Sequence, residues 1–215
     1  MTGTVKVCEI FPSIQGESSH AGFPCVFVRL SGCNLRCAYC DTTYAYAEGE
    51  DIEIGRVAEI ASSYRIRMVE LTGGEPLLQG EARPLLTMLC DRGHDVLIET
   101  NGSIDISGID HRVCVILDVK TPSSGMSEMM AAGNLARLRK RDDVKFVVSG
   151  IEDYLWAKEV IGEHSLLERT NVLLSPVHGV LDPALLAQWM IQDGLPARFN
   201  LQMHKYIFGP DIRRT

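Results

Sequence analysis

The sequence predicts an α/β protein whose parallel sheet of about six strands curls into an incomplete, TIM-type barrel. Three observations predict it. Short, nearly wholly apolar strands alternate with helical patterns from Met68 onward, and such strands belong to a parallel sheet covered by its crossovers. About six units of this kind are too few for a closed eight-stranded barrel. Finally, nearly all the unusual residues follow the C-terminal end of a strand, the end that carries the site in parallel barrels. The 215 residues, 46% hydrophobic, suffice for one domain with a real core, and no linker, repeat or low-complexity stretch divides 1–215.

In chain order, Val5 to Phe11 is β-favouring, and Pro12 to Glu17 reads as a polar loop turning at Gly16. Cys25 to Leu30 is a strand that runs straight into a cysteine-rich loop. Val57, Ile60 and Ala61 have helical spacing. Strands are then expected at Met68–Leu71, Val96–Ile98, Val113–Leu117, Val144–Val148 and Val172–Leu174, with Phe199–Leu201 completing the run. Between them fall helices at Arg83–Asp91 (ending near Gly93), Met126–Arg141 (with Gly133 as a break), Tyr154–Ile161 and Pro183–Ile191.

Composition removes several function classes. No apolar run approaches the roughly 20 residues that cross a bilayer, and Met1–Lys6 lacks the layout of a secretory signal. A cytoplasmic protein with no membrane partner is expected. Cys8, Cys25, Cys90 and Cys114 stand in apolar stretches as small core residues, and an odd total of seven argues against a disulfide framework. A net charge of −7 argues against nucleic acid as partner. The basic run Arg137–Arg141 reads as a solvated helix end.

The chain is organised around Gly32-Cys33-Asn34-Leu35-Arg36-Cys37-Ala38-Tyr39-Cys40-Asp41. Thiolates this close hold zinc or an iron–sulfur cluster. A structural zinc site needs four ligands, and only three cysteines lie together. On a four-iron cluster, three thiolates leave one iron open to a small molecule. A zinc knuckle with a distant fourth ligand is the bland alternative. Further strand-end segments follow: Thr72-Gly73-Gly74-Glu75-Pro76, Glu99-Thr100-Asn101-Gly102, Asp118-Val119-Lys120 and Ser175-Pro176-Val177-His178-Gly179. Paired glycines let backbone approach a ligand, and an acid and a lysine can receive the charged ends of an amino acid.

The cysteine spacing, its Gly-Cys-Asn and Tyr-Cys-Asp flanks and the Gly-Gly-Glu-Pro element together resemble the radical S-adenosylmethionine (SAM) enzymes. At the chain ends, Glu9–Glu17, Arg29 and Gln202-Met203-His204-Lys205-Tyr206 resemble one family within them, the 7-carboxy-7-deazaguanine synthases, from Glu9 to about Pro210. The resemblance implies a radical SAM core with an N-terminal substrate loop and a short C-terminal extension. The implied reaction turns 6-carboxy-5,6,7,8-tetrahydropterin into 7-carboxy-7-deazaguanine with loss of ammonia, in queuosine or other 7-deazapurine biosynthesis. The radical is carried by the cofactor, so no side chain is expected to be catalytic.

The resemblance also assigns residues. Cys33, Cys37 and Cys40 would hold a 4Fe-4S cluster, and Thr42 would bind magnesium (Mg2+) beside the substrate. Tyr39, Asp41, Gly74, Glu99, Asp118, Val119 and Lys120 would bind S-adenosylmethionine (S-adenosyl-L-methionine), with Ser175, Pro176, Val177 and His178 along its adenosine. Ile14, Gln15, Gly16, Glu17, Arg29, Thr72, His204 and Pro210 would form the pterin site. Arg29 suits the carboxylate and Glu17 the aminopyrimidinone edge. A reducing flavodoxin- or ferredoxin-like electron donor and a homodimer are expected with the family. The chain departs from some members in its short first cysteine spacing, in Asp118-Val119-Lys120 for Ser-Pro-Lys, and in the residues after Pro210. The alternative enzyme is a glycyl-radical-enzyme activating enzyme, which shares the cofactor motifs but not Ile14–Glu17 with Gln202–Lys205.

Overall fold

A computed structural model describes residues 3–209 and Arg213. Its described strands form one sheet in the order β3-β1-β2-β4-β5-β6-β7-β8-β9. These are β1 (Thr4–Ile14), β2 (Pro24–Leu30), β3 (Glu50–Glu53), β4 (Met68–Gly73), β5 (Asp95–Thr100), β6 (Cys114–Val119), β7 (Asp143–Val148), β8 (Asn171–Pro176) and β9 (Arg198–Phe199). From β2 through β4 to β9 every pairing is parallel, while β1 and β3 add an antiparallel edge. The parallel run expected from the alternating pattern is therefore present, as a partial barrel. Sequence reading did not anticipate β3, whose acidic Glu-Asp-Ile-Glu carries no β signature.

Side-chain alternation explains the two faces of the sheet. Val26, Val28, Leu30, Val69, Leu71 and their counterparts on later strands pack outward into the main core. They meet α1 (Ile54–Ser63), α2 (Ala82–Asp91), α4 (Ile151–Glu163) and α6 (Pro183–Gln192), whose core residues include Val57, Leu86, Tyr154 and Leu186. Inward-facing Cys25, Met68, Leu97, Cys114 and Ile116 form a second, smaller cluster, with Phe27 against it. Further along the same inward parity come Arg29, Glu70, Thr72, Glu99, Asp118 and Lys145, which line an open cavity. The concave face is thus apolar at one end of the strands and charged at the other.

Three local expectations are corrected. Pro12–Ile14 continue β1 rather than opening a loop, with Pro12 opposite Val26. Because β3 pairs only Thr4–Val7, this half of β1 is an edge that tolerates the missing N–H. The expected helix over Met126–Arg141 is instead a 3-10 turn at Ser127–Met129 and the single-turn α3 (Asn134–Arg137). Gly125 and Gly133 take φ of 72° and 85°, and buried Asn134 spends its amide on Gly102 O, Ile104 O and Ile106 N. Tertiary hydrogen bonds override the helical pattern. The basic run is a solvated helix end only in part: exposed Arg137 ends α3, but Arg139 bonds Asp142 and the carbonyls of His111 and Val113, clasping the chain before β6.

Cys25, Cys90 and Cys114 are buried, Cys8 is half-buried, and all the cysteines are free. Among the described residues no helix is long and apolar enough to cross a membrane. Two short helices close the list, α5 (Leu166–Arg169) and α7 (Met203–Ile207).

Candidate active site

A cavity of about 650 Å³ opens at the C-terminal ends of the strands. Cys33, Cys37 and Cys40, on the loop after β2, all face it and are only part-buried. The loop is fastened along its length. Gly32 N donates to Ala45 O at 2.8 Å and Ala38 N to Ser124 O at 3.0 Å. Arg36 donates to the carbonyls of Cys33 and Leu35 at 2.8 and 2.7 Å and lies over the Tyr46 ring. The Cys33 sulfur accepts from Leu35 N at 3.4 Å and faces Asn101 Nδ2 at 3.8 Å. Burial pushes the Cys33 and Cys37 thiols up, so binding iron must displace their protons.

Among the described residues no three His, Cys, Asp or Glu side chains gather around one metal ion. Three soft sulfur donors facing a roomy cavity, with the Cys33 sulfur already approached by N–H groups, fit a cluster with an open iron. The residues present therefore fit the group.

Gly74 shows why the second motif needs glycine. A Cβ there would come within 2.1 Å of Gly32 O and 2.8 Å of the Cys33 Cβ, so the two loops can pack only backbone to backbone. Glu75 N completes the contact, donating to Gly32 O at 2.7 Å. The fully buried Glu75 carboxylate then accepts from Leu77 N, Thr100 Oγ1 and Asn101 N at 2.7–2.9 Å. Glu75, Thr100 and Asn101 are thus a clip that holds the glycine loop, the β5 end and the cysteine loop in one register.

Charged side chains line the same cavity. Lys145, on β7 and nearly wholly buried, pairs Glu17 Oε2 at 3.0 Å, Asp118 Oδ2 at 3.4 Å and Glu99 Oε1. Lys120 pairs the same Asp118 oxygen at 2.9 Å, while buried Asp118 Oδ1 has no hydrogen-bond partner among the described residues. Burial works against the charge of both lysines, but the facing carboxylates hold them well above the usual lysine range. Burial would likewise raise Glu17 and Asp118, yet the ammonium groups hold both below the ordinary range. Glu70 behaves in the opposite way. Burial and the nearby Glu99 push it up to about 8, and its Oε2 accepts from Gln15 Nε2 at 3.0 Å.

The expected substrate residues Ile14, Gln15, Gly16, Glu17, Arg29, Thr72 and His204 all line the cavity. Thr72 Oγ1 donates to Glu99 Oε2 at 3.3 Å. Gln15 Oε1 caps Glu17 N and Ser18 N, so its side chain shapes the loop. Gly16 is glycine because α7 closes on it: a Cβ would meet His204 Nδ1 at 2.8 Å. Gln202 Nε2 donates to Glu17 Oε1 at 3.0 Å, and His204 Nδ1 stands 3.9 Å from that oxygen. Arg29 is not an unoccupied fork. Its Nε donates to Glu9 Oε1 at 2.8 Å, where the Tyr44 hydroxyl also donates at 2.9 Å, so only its Nη end serves the cavity.

Of the expected cofactor and metal positions, Tyr39, Asp41, Thr42, Gly74, Glu99, Asp118, Lys120, Val177 and His178 line the cavity. Lys205 bonds Asp41 Oδ2 at 2.5 Å, and Thr42 donates to Asp41 Oδ1 rather than capping the 3-10 turn that follows. Val119, Ser175 and Pro176 are not on the wall: Val119 packs into the main core and the Ser175 hydroxyl bonds Asn200. Pro210 lies outside the described residues. Sequence reading missed Lys145, Glu70 and the Glu9–Tyr44 support of Arg29. The available signal was a charge at the inward parity of an otherwise apolar strand, in Met-Val-Glu-Leu and Val-Lys-Phe-Val-Val.

Comparison with known proteins places the chain in a family. The model of the Radical SAM superfamily matches residues 27–155. The chain is 47% identical over 212 residues to a 7-carboxy-7-deazaguanine synthase of Chlorobaculum tepidum, covering 97% of this chain and 96% of that one. It is 39% identical over 224 residues to the enzyme of that name from Koribacter versatilis, with 97% and 99% covered. The crystal structure of QueE from Escherichia coli superposes with a TM-score of 0.77 at 21% identity, covering 92% and 93%, a likeness of fold. With three thiols, the glycine loop and charged side chains around one cavity, and relatives this similar over nearly their full length, the chain belongs to the radical SAM superfamily and, within it, to the 7-carboxy-7-deazaguanine synthase family.

Proposed function

We propose that this enzyme converts 6-carboxy-5,6,7,8-tetrahydropterin to 7-carboxy-7-deazaguanine with release of ammonia, acting as a carbon–nitrogen lyase in 7-deazapurine (queuosine) biosynthesis. One observation carries the reading. A single cavity is lined both by the three-thiol loop with Gly74 and by Gln15–Glu17, Arg29, Thr72 and His204. An activating enzyme acting on a protein glycine has no use for that second set of residues.

The chemistry supplied by a reduced four-iron cluster with bound S-adenosylmethionine is hydrogen-atom abstraction by a carbon radical. This chain's residues bind and orient. Cys33, Cys37 and Cys40 would hold the cluster. Gly74 and its carbonyl-rich surroundings, Asp118 with its unpaired Oδ1, and Lys120 receive the amino-acid part of the cofactor. Tyr39, Asp41, Glu99, Val177 and His178 border it. The Arg29 Nη end meets the pterin carboxylate, and Glu17, kept ionised by Lys145, accepts from the aminopyrimidinone edge. Gly16 and His204, drawn together by Met203 N donating to Gly16 O, cover the pterin side and keep water out. Thr42 would supply an oxygen to a magnesium ion beside the substrate. A flavodoxin- or ferredoxin-like donor would supply the electron that the bound cluster needs, and the enzyme works as a cytoplasmic homodimer.

The deciding experiment is anaerobic reconstitution with iron and sulfide, followed by addition of S-adenosylmethionine, a reductant, magnesium and the pterin. The expected result is 7-carboxy-7-deazaguanine and ammonia in equal amounts. A four-iron protein that cleaves S-adenosylmethionine yet leaves the pterin unchanged would overturn the substrate assignment, and a zinc-loaded protein would overturn the cluster.

A further inference from the structure

Lys145 reaches the site from β7, a strand that carries none of the motifs through which the cofactor and pterin walls were recognised. Its ammonium contacts a carboxylate of the N-terminal loop (Glu17), one at the end of β5 (Glu99) and one at the end of β6 (Asp118). Parallel registry puts it beside Asp118, and its side chain is only 3% exposed. Three carboxylates within reach of one point repel each other strongly at low dielectric unless a cation lies among them. Lys120 touches only Asp118 of the three, and Arg29 is engaged by Glu9. Among the described residues Lys145 is therefore the group that joins all of them.

We propose that Lys145 is the positioning residue that sets both halves of the site at once. It aims Glu17 at the pterin and Asp118 at the amino-acid end of S-adenosylmethionine, so that the two ligands are held in mutual register. The proposal rests on the functional reading above. It distinguishes Lys145 from Arg29, which faces the pterin half, and from Lys120, which faces the cofactor half. Without the ammonium the carboxylates must protonate or move apart, and either response spoils both ligand sites together.

The test uses Lys145→Met, which keeps the reach of the side chain and removes the charge, in anaerobically reconstituted protein. Iron content, unfolding temperature, calorimetric affinity for each ligand, and product formed per 5′-deoxyadenosine released are measured beside wild type. The expected result is full iron content, at least tenfold weaker binding of both S-adenosylmethionine and the pterin, and a several-fold fall in product per 5′-deoxyadenosine. A purely structural lysine would lower the unfolding temperature without changing that ratio. Loss of affinity for one ligand alone, or an unchanged product ratio, would overturn the proposal. If Lys145→Met does not fold, Lys145→Ala is assayed with ethylammonium and with ethanol. Return of both affinities with the cation alone supports the proposal, and no return overturns it. Wild type that fails to convert the pterin overturns the functional reading instead, and is seen before any variant is made.

Discussion

Arg29→Ala separates stability from recognition at one position. Its side chain is 17% exposed, and its Nε bonds Glu9, whose side chain is 1% exposed. Removing one member of a buried pair costs on the order of 3–5 kcal/mol, because the other charge stays buried. Glu9 keeps the Tyr44 hydroxyl at 2.9 Å and has Arg213 Nε at 3.8 Å, so the low end applies, about 3 kcal/mol. For a chain of this size that is a fall of about 6–12 °C in Tm. The pterin carboxylate loses only the Nη end, so the affinity loss should be about 2–3 kcal/mol, roughly 30- to 150-fold. Arg29→Lys keeps the charge but not the fork, and should fall between. Thermal unfolding and calorimetry on the reconstituted protein read both quantities, with S-adenosylmethionine as the internal control. If Tm falls while pterin affinity is unchanged, or if both ligands weaken equally, Arg29 is a support for Glu9 and does not read the substrate.

Further outcomes follow from other parts of the site. Cys37→Ala should lose the cluster and all cofactor cleavage, whereas buried Cys114→Ala should cost only packing, about 1–3 kcal/mol, with normal iron content; intact iron in the Cys37 variant would contradict the assignment. Thr42→Ala should blunt the response of turnover to magnesium and Thr42→Ser should largely keep it; equal slowing of wild type and Thr42→Ala on magnesium removal would show that the hydroxyl serves only Asp41. Glu70 sits at about 8 when folded, above the ordinary carboxylate value, so the folded state binds the extra proton and stability must fall as pH rises toward and through 8. Glu70→Gln removes this cost, and its denaturant-measured stability should gain on wild type between pH 6 and pH 9; a difference that stays flat over that window would refute a protonated Glu70.

The sequence alone determined the chemistry-bearing half of this protein. Cys33, Cys37 and Cys40 are close in the chain, and Gly73-Gly74-Glu75-Pro76 is one continuous turn, so local spacing sufficed to read a metal-binding thiol loop, and the resemblance of both segments to one superfamily made it a cluster loop with a glycine partner. The parallel sheet was legible for a similar reason, since strands buried on both faces leave apolar runs between amphipathic helices. Tertiary structure decided what depends on which distant residues share a face. The Met126–Arg141 stretch reads as helix but is unwound by Asn134 bonds to the 102–106 loop, an energy invisible to periodicity. Glu70 and Lys145 look like lapses in apolar strands until the sheet curls and sets them inward together, 75 residues apart in number and one cavity in space. Arg29 was recognised, but not that Glu9 and Tyr44 occupy its Nε edge, because register across β1 and β2 is set by the fold. Charge in a low-dielectric cavity is organised by proximity in three dimensions, and only the curled sheet supplies that proximity.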